Sequence, residues 1–365
     1  MQAALSRRTV LALTLGAVAT GGHAGQRRRL FADGLSFLPE DLNQIARSGI
    51  GAMICDVSEV EYVRDPDGTP RYPRTYGRNA AALDAAVARL KDVPQAYVAL
   101  RGSDIGSRSG CATFLQLQSA EPIGTDLTRL AAFHAKGLRV LQLTHHNNTP
   151  FAGGALEVHP SGLTPLGREG LSEMNRLRML PDVSHGSEAT MLEAAALSKT
   201  PVVYSHGACR AIVDHPRCIT DSAIRLIAER GGVMGIFMMS FWLTTASVPK
   251  PEHWVRHVRH VINIGGLGAV AVANDFPFAG QSNLVKLGND NKKGVAEYLE
   301  WWRAMRLLGL PGFARDPEHV VIPAFNSLDR MFVIERTLER ARFKPREIDM
   351  IMGDNWRRVL IDTLG

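Results

Sequence analysis

Cysteine is scarce in this chain, with four in 365 residues: Cys55, Cys111, Cys209 and Cys218. That excludes a disulfide scaffold, although Cys209 and Cys218 flank a short loop and could pair, with free buried thiols as the equal alternative. No apolar run is long enough to cross a bilayer, which takes about 20 residues. There is no low-complexity tract, no convincing linker and no internal repeat. Neither sign of charge dominates, since 42 Lys and Arg face 36 Asp and Glu, a net charge of +6. No basic stripe with interleaved aromatics runs through the chain, so a nucleic-acid partner is not expected.

The opening residues carry a targeting pattern instead. Ser6-Arg7-Arg8-Thr9-Val10-Leu11 is a twin-arginine signature, followed by an apolar stretch from Val10 to Ala19. Gly22-His23-Ala24 then offers small residues where a signal peptidase cuts. Residues 1–24 therefore read as a signal peptide, and the expected route is the twin-arginine export machinery, to the periplasm or beyond. Its removal takes away Arg7 and Arg8 and no acid, so the net charge falls from +6 to +4. Arg27-Arg28-Arg29 reads as a solvated leader to the first strand, or a weak attraction to anionic lipid.

Residues 25–365 read as one domain. About 340 residues would make two average domains, but barrels exceed that average as single units. Two segments end alike: Leu-Pro-Asp-Val-Ser-His185-Gly and Pro-Val-Val-Tyr-Ser-His206-Gly. Each is a buried strand with an imidazole at its C-terminal edge, and Ser187 to Leu197 between them has the composition of a helix. A strand–helix–strand unit makes the strands parallel and puts both histidines on one rim. Other strand-like runs are Arg29 to Gly34, Gly51 to Val57, Ala112 to Gln118, Arg139 to Thr144, Gly232 to Met239 and Gly268 to Asn274. Ala96 to Leu100 is an accessory piece, and Tyr62 to Arg78 an exposed loop. Thr164-Pro165 marks a helix start, and Asp221 caps a helix that stops at Gly231-Gly232. The alternation predicts an α/β fold, a (β/α)8 TIM barrel.

Polar residues collect at the predicted strand ends: Gln118, His145 with His146, His185, His206 and Asp275. In a barrel they converge on one mouth, where ligands sit. Imidazoles suit a divalent metal, a carboxylate handles protons, and a further histidine or arginine neutralises an oxyanion. The chemistry suggested is hydrolysis by an activated water.

Several segments carry a resemblance. Thr144-His145-His146-Asn147-Asn148-Thr149-Pro150, Gly162-Leu163-Thr164-Pro165-Leu166-Gly167, Met174-Asn175-Arg176-Leu177 and Asp182-Val183-Ser184-His185 occur in order. Ser205-His206-Gly207-Ala208-Cys209-Arg210, Ala273-Asn274-Asp275-Phe276 and Met352-Gly353-Asp354-Asn355-Trp356-Arg357-Arg358-Val359 follow. Together they resemble the renal or membrane dipeptidase family of zinc peptidases, an amidohydrolase-type barrel. The resemblance implies a two-zinc site in which His185 and His206 bind the second metal. It also implies that His145 and Arg210 hold the substrate's tetrahedral centre and carboxylate, and that Asp275 holds the amine and shuttles protons.

The sequence departs from that pattern at the first metal. The family's first strand ends in Asp-Gly-His-x-Asp, whereas this chain has Asp33-Gly34-Leu35-Ser36-Phe37. Where the family has a bridging glutamate in Glu-Gly-Gly, this chain has Gln118-Ser119-Ala120. An amide is an uncharged ligand and does not bridge two cations as a carboxylate does. Glu121 or Asp33 could replace a lost carboxylate, though nothing in the spacing requires it. The expectation is zinc or another divalent metal, at most one ion or none, held by His185 and His206 with Gln118 as a candidate third ligand. The expected activity is hydrolysis of a small peptide or amide, with Asp275 and His145 catalytic and Arg210 on the carboxylate. The alternative is a metal-free binding or scaffold protein that keeps the pocket. A homodimer is compatible with either.

Overall fold

A computed structural model describes residues 29–66, 70–71, 73–280, 292–307, 309 and 313–365. The signal segment 1–24, with Arg7 and Arg8, lies outside the described residues. Eight parallel strands follow one another around the sheet in chain order: β1 (Ala32–Phe37), β2 (Ala52–Asp56), β3 (Cys111–Leu117), β4 (Leu138–Gln142), β5 (Leu180–Asp182), β6 (Val203–Gly207), β7 (Val233–Ile236) and β8 (Val270–Val272). Helices return the chain between strands, which is the expected α/β barrel, nearly closed. Ala96–Val98 is indeed accessory, pairing parallel to β3 outside the strand order.

Local chemistry sets the element ends. Thr164 and Ser187 cap their helices by accepting from the Gly167 and Thr190 amides at 2.9 and 3.0 Å. Several boundaries move from their expected places, the first strand ending at Phe37 rather than Gly34 and the seventh at Ile236 rather than Met239. The cap of Asp221–Glu229 is Thr220, whose Oγ1 accepts from the Ala223 amide at 3.3 Å, while Asp221 Oδ1 is taken by His260 Nε2 at 2.6 Å. The first strand starts at Ala32, not Arg29, because Arg29 is drawn to the surface by ion pairs with Asp349 and Glu335. The stretch expected as a loop, Tyr62 to Arg78, contains a short antiparallel ribbon, Val63–Arg64 with Pro70–Arg71, and the first residues of helix Tyr76–Arg89. All four cysteines are free and buried. Cys209 and Cys218 do not pair, since their thiols lie against the carbonyls of His257 and Trp242 respectively.

Strand alternation divides the core in two. One set of side chains packs outward against the helices, among them Met53, Cys55, Leu115, Leu141 and Met234. The other fills the barrel: Ala52, Ile54, Ala112, Phe114, Val140, Leu180, Val203, Val233 and Ala271. This inner cluster is completed by Trp356, Val359, Leu360 and Leu364 of the last helix, Asn355–Leu364, which plugs the end of the barrel away from the histidines. Trp356 Nε1 donates to the Val272 carbonyl at 2.8 Å. Gly34 makes room for this plug, since a Cβ there would lie 2.3 Å from the Trp356 ring. Further along the same inward rows the residues turn polar: Gln116, Gln142, Asp182 and Ser205, all wholly buried.

Asp33 latches the first strand to the last. Its Oδ1 accepts from the amides of Leu35 and Asn274 at 3.1 and 2.8 Å, and its Oδ2 from Asn274 Nδ2 at 2.6 Å. It is therefore built into the barrel seam rather than offered at the mouth as a substitute ligand. Burial pushes its carboxyl up to about 7. A carboxyl raised on folding binds its proton more tightly in the native state, so it stabilises fully below the unfolded value of about 3.9 and less as pH rises towards 7. Asp33→Asn mimics the protonated form, and after an amide flip it supplies a donor to the buried, partnerless Asn274 Oδ1. Urea unfolding at about pH 5 and pH 8 should show a smaller fall in stability for Asp33→Asn than for the wild type. An unchanged fall would place the proton elsewhere.

Candidate active site

Four imidazoles meet where β4, β5 and β6 end. His185 is their hub: its Nε2 is 2.8 Å from His206 Nε2, and its Nδ1 is 3.3 Å from His146 Nδ1. The His145 ring stacks on His185 with centroids 4.2 Å apart and 19° between planes. The ring nitrogens of His145, His146 and His185 lie within 4.8 Å of one another. His185 adopts φ 63°, a left-handed conformation that costs a non-glycine residue about 1–3 kcal/mol. The carbonyl of this turn is held by the Ala155 amide at 2.7 Å.

All four rings are neutral at pH 7. Burial is the first cause for each, and Arg217 and the neighbouring imidazoles add to it, taking His146 down to about 3 and the others well below the usual histidine value. A hydrogen-bond chain fixes one tautomer. Ser205 Oγ donates its single proton to Asp182 Oδ2 at 2.5 Å, so it must accept from His206 Nδ1–H at 2.8 Å. The His206 Nε2 lone pair is then left facing His185 and the mouth. Asp182 is itself held by Gln116 Nε2 at 2.7 Å and the amides of Ser184 and Ser205 at 2.9 and 3.0 Å. Neutral, converging imidazoles with one lone pair fixed by its backing residues are a donor set that fits a single divalent ion of the zinc type.

The other expected residues divide. Asp275 follows β8 on the same rim, also left-handed at φ 54°, with its amide donating to the Leu35 carbonyl at 3.0 Å. Burial pushes its carboxyl up to about 7; Arg217 opposes the shift, and Asp56 and Asp33 add to it. Gln118 sits at the rim, held by backbone bonds to Ser58 Oγ at 2.7 Å and Gln142 Nε2 at 2.8 Å. Leu35 is wholly buried in the core. Arg210 stays apart, its guanidinium half-exposed and paired with Asp214 at 2.9 Å.

His146, noted in the sequence only as a strand-end residue, joins the cluster through His185. One residue at the mouth, Arg217, is not among those singled out in the sequence. Arg217 is buried with its Nη1 donating to Tyr204 Oη at 2.7 Å and its Nη2 to the His206 carbonyl at 3.0 Å. Its guanidinium lies 5.6 Å from the ring centroids of Phe237 and Trp242, while its Nε is buried without a partner. Gly207 permits this arrangement, because a Cβ there would strike Tyr204 Oη at 2.2 Å. The signal in the sequence was His215-Pro216-Arg217, a basic residue on the loop between a histidine-ending strand and its helix.

Comparisons with known proteins agree with this architecture. Residues 87–295 match the family described as membrane dipeptidase (peptidase family M19). Dipeptidase tcpJ of Claviceps purpurea is 35% identical over 176 residues, 46% of this chain and 41% of that protein. Dipeptidase verJ of Clonostachys rogersoniana is 32% identical over 186 residues, 50% of this chain and 46% of that protein. The matched stretch thus spans less than half the length of these relatives. Among solved structures, an amidohydrolase from Pseudomonas aeruginosa is similar with a TM-score of 0.75 at 21% identity, covering 92% of this chain and 97% of that one. A metallopeptidase from Rhodobacter sphaeroides, liganded with a phosphinate mimic of the dipeptide L-Ala-D-Ala, gives 0.70 at 18% identity, covering 92% and 99%.

Proposed function

We propose that this chain, which belongs to the membrane dipeptidase family, hydrolyses a dipeptide or similarly small amide at the mouth of its barrel. The observation that carries the reading is the convergence of four neutral imidazoles with the buried Asp275 carboxyl and the buried Arg217 guanidinium. His185 and His206 would hold one divalent ion, with His145 and His146 as further donors around His185. When bound, the chemistry such an ion supplies is Lewis acidity toward the scissile carbonyl.

The chain's own residues do the rest. Arg217 Nε, buried and free, presents a donor to the substrate carboxylate, a match for the guanidinium fork. Asp275 in its ionised form takes the proton of the attacking water and returns it to the leaving amine. The neutral His145 donates to the oxygen that becomes an oxyanion. Leu35, Phe37 and Gln118 stand where the family pattern has metal ligands, and the imidazole cluster includes no carboxylate among the described residues. One ion, partly occupied, is therefore our reading of the stoichiometry, since neutral imidazoles alone hold a cation less tightly than a set with thiolate or carboxylate.

Purified protein assayed on a dipeptide panel with and without added zinc or manganese, alongside elemental analysis, tests this. We expect cleavage that rises with added metal and at most one equivalent retained after dialysis. Two retained equivalents would mean that other residues supply the missing ligands. Saturable binding without cleavage would favour a binding protein that kept the pocket. We also propose export through the twin-arginine route, on the pattern around Arg7 and Arg8. Changing both to Lys should abolish periplasmic delivery in cell fractionation, and unchanged delivery would reject that route.

A further inference from the structure

Few buried side-chain polar atoms in the described residues lack a partner, and three of them are guanidinium nitrogens, Arg74 Nε, Arg217 Nε and, on the last helix, Arg357 Nε. Arg74 stands just before helix Tyr76–Arg89, on the connection that leaves β2. Its backbone is fixed, the amide donating to Glu121 Oε1 at 3.0 Å. Its guanidinium makes no hydrogen bond or ion pair among the described residues. One oxygen of each nearby acid is already engaged: Asp56 Oδ1 accepts from the Ser58 amide and Oγ at 2.9 and 2.6 Å, and Glu121 Oε1 from the Arg74 backbone amide. Burial lowers the Arg74 guanidinium, and Asp56 and Glu121 act to keep it charged.

A largely buried guanidinium with no counter-ion in contact is an unfavourable arrangement for a fold. It becomes favourable when a ligand brings the anion. Arg74 acts on His145 and His146, the imidazoles of the β4 end, whereas Arg217 acts on all four. Strand order places β2 to β4 across the barrel from β6 to β8, so the connections that carry Arg74 and Arg217 leave opposite sides of the ring.

We propose that Arg74 determines specificity by binding an acidic side chain on the first residue of the substrate, so that the preferred substrates are dipeptides beginning with Glu or Asp. This rests on the hydrolytic reading above. With the substrate carboxylate on Arg217 and its amine at Asp275, the first side chain is the part of a dipeptide left to face β2 to β4. A planar guanidinium accepts a carboxylate there through two parallel hydrogen bonds, and a neutral amide of the same shape forfeits the charge.

The test compares Glu-Ala, Gln-Ala, Ala-Glu and Ala-Gln on the metal-supplemented full chain, measuring kcat/KM and, in parallel, calorimetric binding. Glu-Ala should exceed Gln-Ala by about tenfold or more in kcat/KM, carried in KM, the scale of one charged hydrogen bond. Arg74→Gln should bring that ratio close to one, and Arg74→Lys should restore part of it. Equal rates for Glu-Ala and Gln-Ala, a preference that survives Arg74→Gln, or one confined to the second residue would each overturn the proposal while leaving the dipeptidase reading intact. If none of the four is cleaved, the dipeptidase reading fails, and binding alone decides on Arg74. Tighter binding of Glu-Ala that Arg74→Gln removes sustains its role, whereas equal binding or none rejects it.

Discussion

Asp275→Asn should abolish most turnover while leaving ligand binding measurable. The side chain keeps its shape and loses its capacity to carry a proton, which in positioned acid–base catalysis is worth about 10²–10⁴ in rate. The loss should appear in kcat, with KM little changed, because a proton shuttle acts in the transition state. The pH profile supplies the second readout. Burial holds the Asp275 carboxyl up to about 7, and only the ionised form takes a proton from water. Wild-type kcat/KM should therefore rise with pH through about 7 and level off, and the residual activity of Asp275→Asn should lack that limb. A variant that keeps wild-type kcat would remove Asp275 from the chemistry.

Arg217→Met should produce the second large effect, this time in KM. Losing a charge-assisted hydrogen bond to the substrate carboxylate costs about 1.5–3 kcal/mol, roughly 10- to 150-fold in affinity. Dipeptides whose C-terminus is amidated should be poor ligands of the wild type, and Arg217→Met should no longer distinguish them from the free acids. The variant also leaves Tyr204 Oη and the His206 carbonyl without their donors, so a lower unfolding midpoint is expected. Arg210→Ala is the comparison that separates the two arginines. With its guanidinium already committed to Asp214, we expect Arg210→Ala to alter KM much less. The reverse order of effects would return the carboxylate to Arg210.

The barrel was legible in the sequence because its strands are runs of apolar and β-branched residues bounded by polar rim residues. Five of the eight C-terminal ends fell within two residues of prediction, since a strand stops where its side chains change from packing to chemistry. The first strand's start was misplaced because Arg29 is tied by ion pairs to residues more than 300 positions away, which no local pattern reports. His185, His206 and Asp275 were visible as strand-end residues. Arg217 was not, since its direction depends on the loop between β6 and its helix and on the aromatic faces of Phe237 and Trp242. His145 and His146 were adjacent letters, and only the turn after β4 brings both rings against His185.

Among the described residues, the Trp356 plug closes the far end of the barrel and leaves the histidine end as its door. The inner row from Gly34 to Phe114 is filled and the far end is sealed by the last helix, so nothing passes through the barrel axis. For a hydrolase of the kind proposed, water and substrate enter, and two amino acids leave, past the same ring of imidazoles and guanidiniums. Each product carries an amine and a carboxylate, the groups that Asp275 and Arg217 would engage. Both products therefore occupy the approach that the next substrate needs, and traffic through that door becomes part of the turnover rate.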